Sequence, residues 1–216
     1  MHVEASAKGT IVGILIFDGV EELDFVGPWE VFGSARECGA NLTALTVAAT
    51  SGVVCCAHGL HVIADCAFEA SPRLDLLVIP GGYGTRRAAN DEATLEWIRA
   101  AAPSCQWVAS VCTGARLLAQ SGLTAGRRMT THWSVLDELA MRADIEIVRD
   151  ARYVTDGKYV SAAGISAGID MSLWLVGQRF GERMARDTQT YMEYDPVPPY
   201  DVSEQLRRSR VASRRG

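Results

Sequence analysis

The 216-residue sequence predicts a three-layer α/β/α sandwich on a mostly parallel sheet. Two observations carry that prediction. Short, unbroken apolar runs rich in β-branched residues recur along the chain, which is how strands buried on both faces read. Between them lie segments with apolar residues at helical spacing, and that alternation builds a parallel sheet covered by helices.

Residues 1–10 read as a loose N-terminal arm, and Ile11 to Phe17 as the first buried strand, ended by the turn pair Asp18-Gly19. Pro28 suits the first turn of a helix that Trp29, Val31 and Phe32 carry toward Glu37. Leu45 to Ala48 is a second strand, and Asp75 to Ile79 a third, closed by Pro80-Gly81-Gly82. Asn90 or Asp91 can cap a helix bearing Leu95, Ile98 and Ala102. Gln106 to Val111 is the next strand, running into Cys112-Thr113-Gly114 and a helix from Ala115 to Gln120. Val135, Leu136 and Leu139 mark another helix, followed by β-like pieces at Ile145 to Val148 and Tyr159 to Ser161. Ser166 can cap a last long helix, Ala167 to Phe180, apolar nearly all round and so expected to be buried. The Arg-rich tail (207, 208, 210, 214, 215) reads as a solvated terminal helix or frayed end, in preference to an anion-binding arm.

The composition narrows the function. The apolar share is 48% and the net charge −5, which excludes a disordered chain and argues against a nucleic-acid partner held by bulk charge. No apolar run reaches the ~20 residues of a membrane helix, and no membrane association is expected. The opening Met1-His2-Val3-Glu4 lacks a secretory h-region, so a cytoplasmic setting with reduced thiols is expected for the six cysteines.

In a sheet of this kind reactive groups gather outside the carboxyl ends of the strands. That rule makes neighbours of Asp18 to Asp24, Pro80-Gly81-Gly82 and Cys112-Thr113. Ser110-Val111-Cys112-Thr113-Gly114 places a thiol on a sharp strand-to-helix turn, the position of a nucleophile elbow. Free N–H groups at the helix start favour the thiolate, so a lowered thiol pKa is expected. The alternative is a buried structural cysteine. Cys55, Cys56, His58 and His61 crowd one stretch but match no common zinc spacing. No metal is expected there, and Gly59 suggests a hairpin. No phosphate-cradling or dinucleotide motif is present.

Pro80-Gly81-Gly82, the Cys112 elbow and Thr130-Thr131-His132 resemble the ThiJ/PfpI superfamily. Leu23 to Pro28, Thr131-His132-Trp133, Gly164 to Asp170 and Glu193 to Pro199 resemble its isonitrile hydratase branch. The resemblance spans about residues 11–201 and implies one domain there, with 1–10 and 202–216 as extensions. It implies a class I glutamine-amidotransferase-like, flavodoxin-like fold and a homodimer. It further implies Cys112 as nucleophile, Asp24 as the acid contacting it, and Thr113 beside the reaction. Gly82 and the Thr113 N–H would be oxyanion donors, with His132 and Ile165 near the substrate. Read structurally, Asp24 could be only a helix-entry cap and Pro80-Gly81-Gly82 a plain turn. Trp133, Trp174 and Ile165 fit a pocket lining or core packing equally.

Many superfamily members carry a histidine directly after the cysteine. Thr113 stands there instead, which weakens a peptidase reading, and His132 reads as a satisfied neighbour of the site rather than its base. The implied activity is hydration of an organic isonitrile to an N-substituted formamide through a thioimidate on Cys112, with no metal or organic cofactor. Two alternatives stand beside it. One is a non-catalytic ligand sensor related to AraC-type regulators, although the stretch after Asp201 is too short for their helix-turn-helix pair. The other is a stress-related aldehyde enzyme of the glyoxalase or deglycase kind.

Overall fold

A computed structural model describes residues 9–212. Eleven strands and eight α-helices follow one another in these residues. β1 (Thr10–Leu15) leads through α1 (Glu22–Glu37) to β2 (Leu42–Ala48). The hairpin β3 (Val53–Cys55) and β4 (His61–Ile63) precedes the short β5 (Cys66–Ala67) and the central β6 (Leu76–Ile79). α2 (Thr85–Ala88) and α3 (Glu92–Ala101) then lead to β7 (Trp107–Val111) and α4 (Ala115–Gln120). β8 (Arg127–Met129), α5 (Leu136–Ala140) and β9 (Ile145–Ile147) form a small outlying unit. β10 (Tyr153–Asp156) and β11 (Tyr159–Ala162) complete the main sheet before α6 (Ala167–Phe180), α7 (Glu182–Tyr191) and α8 (Ser203–Ala212).

The main sheet has the order β10-β11-β7-β6-β1-β2-β5, and every pair in it is parallel except β10 with β11. The period of two sorts its residues into two cores. Val12, Ile14, Leu76, Val78, Ala109 and Val111 face α1 and α6, while Leu15, Leu77, Ile79 and Val108 face α3, α4 and α5. Burial on both sides is why these strands carry no polar alternation, and the three-layer sandwich read from the sequence is the observed architecture. The chain leaves β1 toward β2 on one side, while β6 lies on the other. The crevice at their carboxyl ends is the topological switch point where such sheets place their sites.

Several local expectations are corrected. β1 already begins at Thr10, whose N–H reaches Asn41 O, and it stops at Leu15, so Ile16 and Phe17 lie beyond it. The rest of the proposed arm, residues 1–8, lies outside the described residues, as do Arg214 and Arg215 of the tail. Pro28 does not open a helix. α1 starts at Glu22 and carries Pro28 inside it. The start is fixed by tertiary contacts: Glu21 N–H donates to Gly81 O, and Asp24 and Phe25 bury against the sheet. Gly27 and Pro28 then meet Ile169 and Gly168 of α6, the close approach that keeps this ring in the helix. Ser166 occupies the N-cap position of α6 without a capping bond, since its hydroxyl accepts from Arg152 instead. Asp91 does cap α3, accepting from Thr94 N–H. The hairpin around Gly59 is formed, with Cys55 opposite His61.

Candidate active site

Three loops converge at the carboxyl ends of β1, β6 and β7. Cys112 follows β7 directly and has φ +56°, a left-handed conformation that a non-glycine residue holds only under constraint. The constraint is visible on both sides. Its N–H donates to Ala163 O at 3.0 Å, and its carbonyl accepts the Thr131 hydroxyl at 2.8 Å. Gly114 fits because a Cβ there would stand 2.1 Å from Ile79 O. The elbow therefore exists and aims the sulfur across the crevice.

Opposite it, Asp24 lies in the first turn of α1 and is fully buried. It is no helix cap: Glu21 holds that position, and the Asp24 Oδ2 accepts Gly81 N–H at 2.9 Å. Its Oδ1 is buried and takes no hydrogen bond by geometry, yet the carboxyl and the Cys112 thiol are close enough to shift each other's proton affinity. Burial pushes Asp24 up to about 8, against the pull of the Gly81 N–H. With Oδ2 occupied as an acceptor, the proton belongs on Oδ1.

The thiol corrects an expectation. Cys112 is not acidified. Burial first, and then the charge of Asp24, push it up to about 12, and the backbone N–H groups of Ile165 and Thr113 oppose this only in part. The helix start is too weak a field here because α4 has only six residues and Cys112 is 5% exposed. Near neutrality the pair is a thiol facing a carboxylic acid.

Gly81 and Gly82 are demanded by packing. A Cβ on Gly81 would lie 2.6 Å from Thr113 Oγ1 and 2.8 Å from Asp24 Oδ2, so both oxygens crowd one point. Gly82 has φ +116° and its Cβ would strike Gly19 O at 2.2 Å. Its N–H, expected to hold an oxyanion, donates to Thr113 Oγ1 at 2.9 Å. That role would require the hydroxyl to turn away. Ile165, at φ +29°, comes to the sulfur by its backbone rather than its side chain. His132 packs its ring on Gly164, bonds Ser134 through Nδ1, and is held below its usual pKa by burial. It flanks the Ile165 turn as a neutral imidazole. Trp133 is exposed beside it, and Trp174 of α6 tilts against Tyr153 of β10.

The sequence reading missed a polar chain behind Thr113. The Thr85 hydroxyl lies 2.8 Å from Gly82 O and 3.3 Å from Thr113 Oγ1, and Arg116 Nη1 donates to it at 2.9 Å. Glu138 grips the same guanidinium through Nε and Nη2. One signal was available: Arg116 is the lone charge in the apolar α4, one turn after Cys112. Cys55, Cys56, His58 and His61 form no joint ligand set among the described residues. His58 turns to Glu22 at 2.9 Å and Glu21 at 3.4 Å, and the Glu22 hydrogen bond raises its pKa. Among the described residues no helix is long and apolar enough to cross a membrane.

The geometry agrees with the comparisons. Residues 11–178 match the profile of the DJ-1/PfpI family. The chain is 37% identical over 190 residues to isonitrile hydratase of Pseudomonas putida, covering 88% of this chain and 81% of that one. It is 29% identical over 203 residues to the transcriptional regulator CdhR of Pseudomonas aeruginosa, covering 94% of this chain and 59% of that one. The crystal structure of a ThiJ/PfpI family protein from Pseudomonas syringae superposes with TM-score 0.82 at 28% identity, covering 99% and 97% of the two chains. The chain, with its mostly parallel sheet and flanking helices, thus belongs to the DJ-1/PfpI family.

Proposed function

We propose that this protein hydrates organic isonitriles to N-substituted formamides, with Cys112 as nucleophile and Asp24 as proton donor. The observation that carries the reading is the buried acid–thiol pair. An isonitrile must gain a proton and a nucleophile on the same terminal carbon. A neutral pair supplies both without leaving net charge in a water-poor site. Asp24 Oδ1–H protonates the carbon. Cys112 Sγ bonds to it as the thiol proton passes to the carboxylate that has just given one up. The product is a thioimidate, R–N=CH–S–Cys112. Water then adds to that carbon, a proton moves to nitrogen, and the C–S bond breaks to give R–NH–CHO and the free thiol. Thr113 Oγ1 lies beside the carboxyl, where it can orient the water.

This chemistry uses no metal or organic cofactor. Residues 11–201 act as its single domain, in a homodimer, both on the strength of the resemblance; a reducing cytoplasm is the proposed setting. The test is incubation with cyclohexyl isocyanide and detection of the formamide. Product from wild type and none from Cys112→Ala supports the reading; turnover that survives the substitution removes the nucleophile. Methylglyoxal consumed in preference would move the activity to the aldehyde enzymes. Similarity to CdhR over most of the chain favours a second reading, a ligand sensor. Saturable binding of a small molecule without product would support that one.

A further inference from the structure

Hydroxyl groups have one proton each, so the chain behind Thr113 can be accounted for donor by donor. Arg116 is 9% exposed and has no acceptor atom, so Thr85 Oγ1 must accept from its Nη1. The single Thr85 proton then goes to the nearer acceptor, Gly82 O at 2.8 Å, rather than to Thr113 Oγ1 at 3.3 Å. Thr113 Oγ1 accepts Gly82 N–H at 2.9 Å. The Thr113 proton has Gly82 O within 3.1 Å, but that carbonyl has two lone pairs, and Thr85 already occupies both, with its hydroxyl at 2.8 Å and its N–H at 3.2 Å. It is the loosely held proton of the chain, on an oxygen that shares its packing point with Asp24 Oδ2.

We infer that Arg116 and Thr85 are positioning residues: they saturate the Gly82 carbonyl from behind and so leave the Thr113 hydroxyl free to donate to the reacting groups. Arg116 suits this because its charge is permanent and never lets the direction of donation reverse. Glu138 fixes the guanidinium by a two-point grip and is itself held below its usual pKa, chiefly by that hydrogen bond. The inference rests on the proposed chemistry at Cys112 but adds residues that touch no substrate.

The experiment is a double-mutant cycle between Thr85→Val and Thr113→Val, with Thr85→Ser as the conservative control. Two readouts are taken. One is kcat and KM for cyclohexyl isocyanide. The other is the rate of Cys112 alkylation by iodoacetamide at pH 9, which needs no isonitrile turnover. Thr85→Val is expected to lower kcat about tenfold with KM nearly constant. It should also slow the alkylation about threefold or more. Thr85→Ser restores both, and Thr85→Val adds nothing once Thr113 is valine. Additive losses, or a Thr85→Val alkylation rate equal to that of wild type, overturn the inference. If Thr85→Val does not fold, Arg116→Met decides, because Glu138 is half exposed and can be solvated when the guanidinium is gone. Slower alkylation supports the inference and an unchanged rate overturns it. Absence of formamide from wild type, with the alkylation cycle closing as described, would sink the proposed function and leave this inference standing.

Discussion

Two cysteines bracket β7, and their contrast is instructive. Cys105 stands just before the strand and Cys112 just after it, and each is 5% exposed. Burial pushes both thiols up, Cys105 to about 11 and Cys112 to about 12. By depth and proton affinity they are near twins. They differ in company. Cys105 sits at the amino end among Leu74, Ala102 and Val108 and gives its thiol proton to Ala101 O at 3.4 Å. Cys112 sits at the carboxyl end, in a left-handed turn, facing a buried acid and two backbone N–H groups. A buried thiol is therefore no sign of reactivity in this fold. The end of the strand it occupies decides.

The largest effect that could break this contrast is at the sulfurs themselves. Cys112→Ala should lower turnover about a thousandfold or more, while Cys105→Ala leaves kcat within about twofold and costs about 1 kcal/mol of stability for the lost packing. Similar losses from both, measured by formamide production and thermal melting, would show that the two sites are not distinct. Next in size is Asp24→Asn, which keeps the shape and the Gly81 contact but cannot give up a proton. A loss of about a hundredfold or more in kcat is expected. Activity close to wild type would remove the acid from the scheme.

The same aspartate predicts two pH effects. Turnover should fall as pH rises through about 8, because the ionised carboxyl cannot protonate the carbon. A rate that climbs through that range would mean a thiolate mechanism. For stability, the folded state holds the Asp24 proton up to about 8, whereas the unfolded chain releases it near pH 4. The stabilisation is complete below about pH 4 and is lost as pH rises through about 8. The melting temperature of Asp24→Asn relative to wild type should thus rise between those limits, and a flat difference would place the carboxyl in a wetter site. The smallest effect concerns the packing point. Gly81→Ala should cost about 1–3 kcal/mol and depress kcat, since its methyl would push on Thr113 and Asp24 together.

The legible parts of this molecule share a cause. β1, β6 and β7 were readable because burial on both faces leaves continuous apolar runs, and the Cys112 elbow because a turn triplet follows such a run. β5, β8 and β10 were not read, and of β3 and β4 only the hairpin turn at Gly59 was. They lie at an edge or outside the main sheet, where half-exposed residues carry no clear period. α7, with the polar sequence from Glu182 to Tyr191, was missed too. It packs on α1 and α6 through a narrow stripe of Met184, Ala185 and Thr188, too short to stand out in so polar a segment. Within the site, Cys112, Thr113, Gly82 and Asp24 came from motifs and resemblance. Thr85, Arg116 and Glu138 did not, because each acts only through a neighbour brought from elsewhere in the chain.

By itself the sequence determined where the strands run and which atom stands at the end of β7, since solvent exclusion along a strand is written directly in its composition. The proton was left to the tertiary structure. Whether Cys112 and Asp24 are charged depends on how much water α1, the Gly81 turn and the Ile165 turn leave around them. Desolvation is a property of that assembled enclosure, and no single segment of the chain carries it.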